Sequence, residues 1–197
     1  AILNHKQKDC PFEDKILCGC GVGLALIMEV VEKLKMENFD YDRFYELAAI
    51  ATCSDIVPIR GVNRAIVAGG LEVIANRPSP GVSALLQKAG HSGGAVQVSD
   101  VVFKIAPRIN AAGRMEHANI GVQLLRAQSA EEAMEVAEKI EKLNIHRKER
   151  DVMITEEALE QMMSEDPHLK NATTIVAKES WHKGLVGIVA SRLMETC

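Results

Sequence analysis

Residues 107–115, in the middle of the chain, combine side chains that are suited to binding an anion. The segment reads Pro-Arg-Ile-Asn-Ala-Ala-Gly-Arg-Met, so that Arg108 and Arg114 flank Asn110 and are separated by small residues. Guanidinium groups match phosphate oxygens in a bidentate way, and an amide adds both a donor and an acceptor. The segment therefore indicates phosphate binding. Composition alone also allows an ordinary turn, whose arginines cap helix ends or pair with surface carboxylates.

A second candidate segment, residues 180–188, reads Ser-Trp-His-Lys-Gly-Leu-Val-Gly-Ile and follows a β-rich run at residues 173–177. A strand, a polar turn and a helix opened by glycine form a phosphate-binding arrangement, because the first turn of a helix offers free amides. An indole ring there can stack on a base or a sugar. The alternative is that the tryptophan anchors the core and the glycines only allow close packing. The candidate ligand-binding residues are Trp181, His182, Lys183 and Gly184.

Asp55 is a third candidate, because it is the only charged residue between Glu46 and Arg60. A carboxylate in apolar surroundings needs a cation, a metal ion or several hydrogen-bond donors. The alternative is that Asp55 caps the next helical turn or pairs with Arg60.

Composition limits the classes of function that these residues can serve. The formal net charge of the 197 residues is -4, so nucleic acid would have to be attracted by local basic clusters. Five cysteines without a Cys-x-x-Cys pair indicate a reducing, cytoplasmic compartment and argue against a zinc site built from Cys10, Cys18, Cys20 and His5. The apolar run at residues 21–28 is too short for a membrane span, so no membrane partner is expected.

Periodicity and capping signals predict the elements that position these residues. Ser129 with Glu132 forms a capping box that opens a long helix, and the charged run at residues 146–151 within it is interpreted as a solvated face. Asp40 and Asn63 are predicted to cap two other helices. Strands are predicted at residues 1–3 and 173–177. Helices are predicted after the glycine-rich run 19–23 to about residue 34, and at 41–53, 63–76, 82–89, 129–164 and from 184 onward. Because the first residue is not Met and lies in a predicted strand, the chain is expected to be part of a longer protein.

Three ordered stretches, residues 51–58, 107–114 and 181–192, resemble the RecJ branch of the DHH phosphoesterase superfamily, whose members are single-strand-specific 5′ to 3′ DNA exonucleases of repair and recombination. The resemblance implies an α/β fold, with the C-terminal part of a DHH domain followed by the first part of a DHHA1-type domain, joined through helices. It divides the chain into the DHH part at residues 1–77, a helical connection with the arginine motif at 78–128, and the long helix with a partial DHHA1-type domain at 129–197.

The resemblance also implies a mechanism for the intact enzyme, in which two Mg²⁺ or Mn²⁺ ions activate a water and stabilise the transition state. Asp55 matches the last aspartate of that metal site, while Asp40 and Asp42 are interpreted as a helix cap rather than the upstream Asp-x-Asp motif. Arg108, Asn110, Arg114 and the segment from Trp181 to Gly187 would hold single-stranded DNA. Asp55 is therefore expected at the edge of a cleft that faces Arg108 and Arg114.

Two other functions stay open at this point. A relative that cleaves short oligonucleotides or nucleotide phosphates would share the two-metal core, but the long helix and the Trp181 turn argue against it. A catalytically silent RecJ-like scaffold would not need Asp55, which this chain retains. The chain by itself is expected to be inactive, because one carboxylate cannot hold two divalent ions at catalytic spacing.

Overall fold

The structure is a computed structural model that describes residues 2–13, 15–91, 93–166 and 171–196. It contains two compact units, residues 1–107 with 123–137 (unit 1) and residues 108–122 with 138–197 (unit 2). Within the described residues all regular elements are helical. They are α1 (Gly19–Lys33), α2 (Asp42–Ser54), α3 (Gly61–Asn76), α4 (Pro80–Lys88), α5 (Val98–Asp100), a π-helical segment (Val101–Ile105), α6 (Ala106–Met115), α7 (Asn119–Arg126), α8 (Ala130–Glu165) and α9 (Val186–Thr196).

The predicted α/β class is not confirmed. Residues 2 and 3 of the first predicted strand and residues 173–177 of the second form no strand, and Ala1 lies outside the described residues. A strand requires a neighbouring strand to share its backbone hydrogen bonds, and local β propensity does not supply one. Instead, the amide of Ala177 donates to Oε1 of Gln161 at 3.2 Å. The predicted domain boundaries at residues 78 and 129 stay predictions.

The close packing of α2 against α3 organises unit 1. Gly70 of α3 has no room for a side chain, because a Cβ there would overlap the carbonyl oxygen of Tyr45 and the Cβ of Ala49. A small core cluster joins these helices to α1, and its buried members are Leu17, Leu24, Ala48 and Ile66. Glycine at residue 70 therefore allows the two helix backbones to approach each other.

Asn63 positions the loop that carries Asp55. It was predicted to cap α3, but this helix already begins at Gly61, whose φ of +50° suits glycine. The fully buried Asn63 amide instead donates to the carbonyl oxygens of Ile16 at 2.9 Å and Pro58 at 3.0 Å. Ile16 lies in the segment that leads into α1, and Pro58 lies in the segment that leads into α3. The two hydrogen bonds therefore hold both segments against Asn63.

Residues 107–115 are helical, contrary to the alternative of an ordinary turn. Pro107 lies in the first turn of α6, directly after the π-helical segment Val101–Ile105, where the amide of Ala106 reaches the carbonyl of Val101. Since α5, the π-helical segment and α6 follow one another without a break, Pro107 lies inside a helical run, and the π-helical turn comes directly before the residue that lacks an amide hydrogen. At 3.6 residues per turn, Asn110 and Arg114 share one face of α6 and Arg108 lies on another.

The capping signal at the start of α8 is confirmed in the structure. Oγ of Ser129 accepts from the amide of Glu132 at 3.1 Å, and the Glu132 carboxylate accepts from the amide of Gln128 at 3.0 Å. The interpretation of residues 146–151 as a solvated face is wrong at Asp151, which is only 1% exposed and pairs with Arg192. None of the helices in the described parts of the chain has the length and hydrophobicity that a membrane span requires.

Candidate nucleic-acid interface

An open groove in unit 2 brings together four of the residues that the sequence singled out. Its volume is about 600 Å³. One wall is the end of α6 and the other is the turn that leads into α9. The lining residues are Gly113, Arg114, Met115, Glu116, His182, Lys183, Gly184, Val186 and Gly187.

A hydrogen bond and a close backbone approach join the two walls of this groove. Nη1 of Arg114 donates to the carbonyl oxygen of Gly184 at 3.1 Å. A Cβ at Gly184 would lie 2.6 Å from the carbonyl oxygen of Arg114, so this position has no room for a side chain. The amide of Gly184 donates to Nδ1 of His182 at 3.2 Å, which orients the imidazole along the turn. Residue 184 must therefore be glycine, because the backbone of α6 lies too close to leave room for a side chain.

The electrostatics of the groove favour an anion. Helix α9 begins at Val186, and a helix offers no carbonyl partner to its first amides, which carry the positive end of the helix dipole. Lys183 and Arg114 are exposed beside these amides. Of the described residues that line the groove, Glu116 alone carries a negative charge. This combination is typical of sites that hold phosphate oxygens.

The Trp181 side chain packs against other residues of unit 2. It lies half-buried against a core cluster that contains Ile154 and Leu185. Its indole Nε1 donates to Oε2 of Glu157 at 2.6 Å, and Lys178 donates to Oε1 of the same carboxylate at 2.6 Å. Hydrogen bonds from Lys178 and then Trp181 lower the pKa of Glu157. These contacts support the core-anchor alternative, while stacking of the ring on a base stays a prediction.

Arg108 does not join Arg114 in the groove of unit 2. It is 9% exposed and forms a bidentate ion pair with Glu141 of α8, with Nε to Oε2 at 2.5 Å and Nη2 to Oε1 at 3.1 Å. Asn110 is exposed, one helical turn before Arg114. A phosphate at Arg108 would have to compete with the Glu141 carboxylate.

Asp55 lies in unit 1, at the C-terminal end of α2, and is exposed rather than enclosed by its apolar neighbours in sequence. Its Oδ1 accepts from the amide of Ile56 at 2.8 Å, and it makes no ion pair with Arg60 or any other described residue. It lines a cavity of about 410 Å³ together with Asn4, His5, Lys6 and other residues. The predicted position of Asp55 at the edge of a cleft that faces Arg108 and Arg114 stays a prediction.

The described residues alone do not fit a two-metal centre. They contain no group of three or more His, Cys, Asp or Glu side chains that could hold a metal ion. Asp55 is the single carboxylate in its cavity and could supply one oxygen ligand. Oδ1 of Asp40 accepts from the amide of Asp42 at 2.9 Å, and Asp42 pairs with Arg77 at 2.5 Å. The prediction that Asp40 is the N-cap is wrong, since Tyr41 occupies that position, but both aspartates lie at the start of α2.

The sequence analysis missed Glu157, which holds both Lys178 and Trp181 and so fixes the segment before the groove. The only signal in the sequence is its position on α8 between Ile154 and Ala158, which are both buried. A carboxylate beside the buried stripe of a long helix is a candidate partner for a basic group on a neighbouring segment.

Comparison with known proteins shows that the chain is similar over nearly its whole length to part of two longer proteins. No family model matches the chain. The single-stranded-DNA-specific exonuclease RecJ of Bacillus subtilis is 37% identical over 195 residues, which are 99% of this chain and 24% of that protein. The protein of the same name from Escherichia coli is 33% identical over 208 residues, 99% of this chain and 36% of that protein. The chain thus spans only about a quarter to a third of these relatives.

Solved structures give the same result. The crystal structure of RecJ from Thermus thermophilus in complex with Mn²⁺ matches with a TM-score of 0.81 and 30% identity, over 96% of this chain and 27% of that one. A crystal structure of exonuclease RecJ bound to manganese matches with a TM-score of 0.80 and 32% identity, over 91% of this chain and 44% of that one. The resemblance that the three motifs predicted is therefore confirmed, and this chain is similar over nearly its whole length to one part of RecJ.

Proposed function

We propose that this chain provides the strand-binding part of a metal-dependent, single-strand-specific 5′ to 3′ DNA exonuclease of DNA repair and recombination. The observation that carries the proposal is the groove of unit 2, where Arg114, Lys183 and the first amides of α9 are brought together. The proteins to which the chain is similar are named single-stranded-DNA-specific exonucleases. An odd number of cysteines supports a reducing, cytoplasmic compartment.

In this proposal the groove holds backbone phosphates and does not read sequence. Arg114 has one donor occupied by Gly184, which orients the guanidinium and leaves its other donors to a phosphate oxygen. Lys183 adds a mobile charge, and the amides of Val186 and Gly187 add uncharged donors. His182 fixes the turn through its bond to Gly184. Asn110, one turn away from Arg114, would contact the same strand.

We assign Arg108 a supporting role in the same function, because its guanidinium is already held by Glu141. The pair joins α6 to α8 and so fixes the helix that carries Arg114. Trp181 is assigned to holding the turn against α8, with its exposed edge available to a base. Asp55 would contribute one ligand to a centre of two Mg²⁺ or Mn²⁺ ions, and the described residues contain no group of three or more His, Cys, Asp or Glu side chains that could complete it.

A salt-dependent titration with a short single-stranded oligonucleotide tests the proposal. The fluorescence of Trp181, the only tryptophan, reports binding. Arg114→Gln should lower affinity for all sequences alike and reduce the slope of log K against log salt by about 0.7, the value for one phosphate on a single strand. Lys142→Gln, an exposed change of equal charge on α8, is the matched control and should leave both quantities near the wild-type values.

Equal effects of Arg114→Gln and Lys142→Gln would contradict the proposal, because binding would then depend on net charge rather than on the groove. An oligonucleotide that shows no salt-dependent binding at low ionic strength would also contradict it. Duplex DNA of the same length should bind more weakly than the single strand, since the proposed site follows one backbone.

A further inference from the structure

A second polar cluster in unit 2 lies outside the groove. Asn144, Arg147 and Asp151 are spaced three and four residues apart on α8 and therefore share one face of the helix. Nη2 of Arg147 donates to Oδ1 of Asn144 at 3.3 Å, and Nη2 of Arg192 on α9 donates to Oδ2 of Asp151 at 2.8 Å. Asn144 is fully buried and Asp151 is 1% exposed. The cluster is thus built into the contact between α8 and α9.

Two other guanidinium groups act on Arg147. Burial lowers the pKa of the Arg147 guanidinium, and the positive charges of Arg114 and Arg192 lower it further, while Asp151 acts in the opposite direction. Both arginines therefore repel Arg147, and Asp151 is the one carboxylate that acts on it among the described residues. A bound anion would relieve this repulsion.

Two buried donors of the cluster also lack a partner. Nδ2 of Asn144 and Nε of Arg147 have no hydrogen-bond acceptor, and both atoms are buried. Buried donors are nearly always paired in native proteins, so an unpaired one requires an explanation. Oδ1 of Asp151 is unpaired as well, but this carboxylate is already held by Arg192 on its other oxygen. Two donors beside an excess of positive charge fit two oxygens of a phosphate.

A purely structural ion pair between α8 and α9 would explain the contact of Asp151 with Arg192. It would not explain why Asn144 and Arg147 keep unpaired donors on the same face. The Arg192 side chain is 46% exposed and Arg114 is exposed, so these two guanidinium groups face solvent. A ligand that enters beside these two arginines would meet Arg147 next.

We propose that Asn144, Arg147 and Arg192 form a second phosphate-binding site, which accepts a tetrahedral phosphate either free in solution or in a nucleic-acid backbone. Asp151 is its positioning residue, since it holds the guanidinium of Arg192. The part of the proposal that concerns DNA rests on the proposed function, in which the strand would continue from the groove past Arg114. Binding of inorganic phosphate does not depend on that function and can be measured separately.

The test compares Arg147→Gln with Arg150→Gln, which removes the same charge from an exposed position on the same helix. At constant ionic strength, inorganic phosphate in place of chloride should raise the Tm of the wild type and of Arg150→Gln. This increase should be lost in Arg147→Gln. In oligonucleotide titrations, Arg147→Gln should lower affinity about fivefold more than Arg150→Gln, as expected for the loss of a phosphate contact.

Asn144→Leu is the second variant, because it removes the unpaired donor, together with the Oδ1 that accepts from Arg147, while keeping every charge and a side chain of similar branched shape. It should fold and should lose the phosphate-dependent increase in Tm. This variant therefore tests the phosphate site even if Arg147→Gln does not fold. Equal phosphate effects in Asn144→Leu and the wild type, or no phosphate effect in the wild type, would overturn the proposal. If phosphate binding is lost in the variants as expected but the wild type does not bind DNA, the site is correct and the proposed function fails.

Discussion

Arg108 and Arg114 belong to the same sequence motif but make different contacts. Arg108 is 9% exposed and held by both oxygens of Glu141, whereas Arg114 is exposed and uses one nitrogen to bind the Gly184 carbonyl. The residue types predicted a phosphate site that contains both arginines. Of the two, Arg114 lines the groove. Composition could not tell which arginine has a carboxylate partner, because Glu141 lies 33 residues away in sequence.

Arg108→Ala should lower the free energy of unfolding by about 1 to 3 kcal/mol, because it leaves the partly buried Glu141 without its charged donors. Arg114→Ala should change the free energy of unfolding by less than about 0.5 kcal/mol, as for most exposed positions. Urea unfolding of both variants gives the comparison. Equal stabilities of the two variants would show that the ion pair of Arg108 does not stabilise the fold.

At the scale of elements, local signals located most helices well. The prediction of a helix at residues 129–164 corresponds to Ala130–Glu165, and the helix predicted to follow residues 19–23 and run to about 34 corresponds to Gly19–Lys33, which already includes the glycine-rich run. Caps and apolar periodicity are encoded within a few residues, so the sequence reveals them. The predicted strands at residues 1–3 and 173–177 depended on pairing partners, which local sequence does not specify. The helical state of residues 107–115 did not follow from local composition, which also allowed a turn, whereas the resemblance placed this segment in a helical connection.

Because α2 packs closely against α3, alanine substitutions at two adjacent glycines of α3 should have different effects on the stability of the protein. Gly70→Ala should destabilise the protein by about 1 to 3 kcal/mol or more, because the new methyl group overlaps the Tyr45 carbonyl and Ala49. Gly69→Ala should be neutral or stabilising by up to about 1 kcal/mol, since its Cβ would lie 3.5 Å from the Tyr45 ring and alanine favours the helix.

Thermal and urea unfolding of the two glycine variants measure this difference. If Gly70→Ala is as stable as Gly69→Ala, the helices do not approach each other as closely as the structure shows. Both variants lie outside the groove, so oligonucleotide affinity measured on folded protein should match the wild type in each.

At the scale of the whole molecule, similarity to RecJ does not by itself mean that this chain contains the residues that catalysis needs. The chain covers 24% to 36% of the relatives from Bacillus subtilis and Escherichia coli, and its described residues contain no metal-binding group of three or more ligands. Three short motifs were sufficient to predict the family. They could not predict the buried cluster around Asp151, because a charged run usually indicates a solvated face.

The purified chain should not degrade single-stranded DNA when Mg²⁺ or Mn²⁺ is added, because Asp55 alone cannot hold two ions. A labelled oligonucleotide analysed on a denaturing gel provides the measurement, with a complete RecJ protein as the positive control. Metal-dependent degradation that disappears in Asp55→Ala would contradict this account and would show that the chain completes a metal centre by itself.

The most direct test of the central claim, that the groove of unit 2 holds the DNA strand, is an NMR titration of the ¹⁵N-labelled chain with a short single-stranded oligonucleotide. The account predicts that the amide signals of Gly184, Val186 and Gly187 shift most, together with the side-chain signals of Arg114, and that added salt reverses the shifts. Binding of the oligonucleotide with these signals unchanged, and with shifts confined to other surfaces, would contradict it.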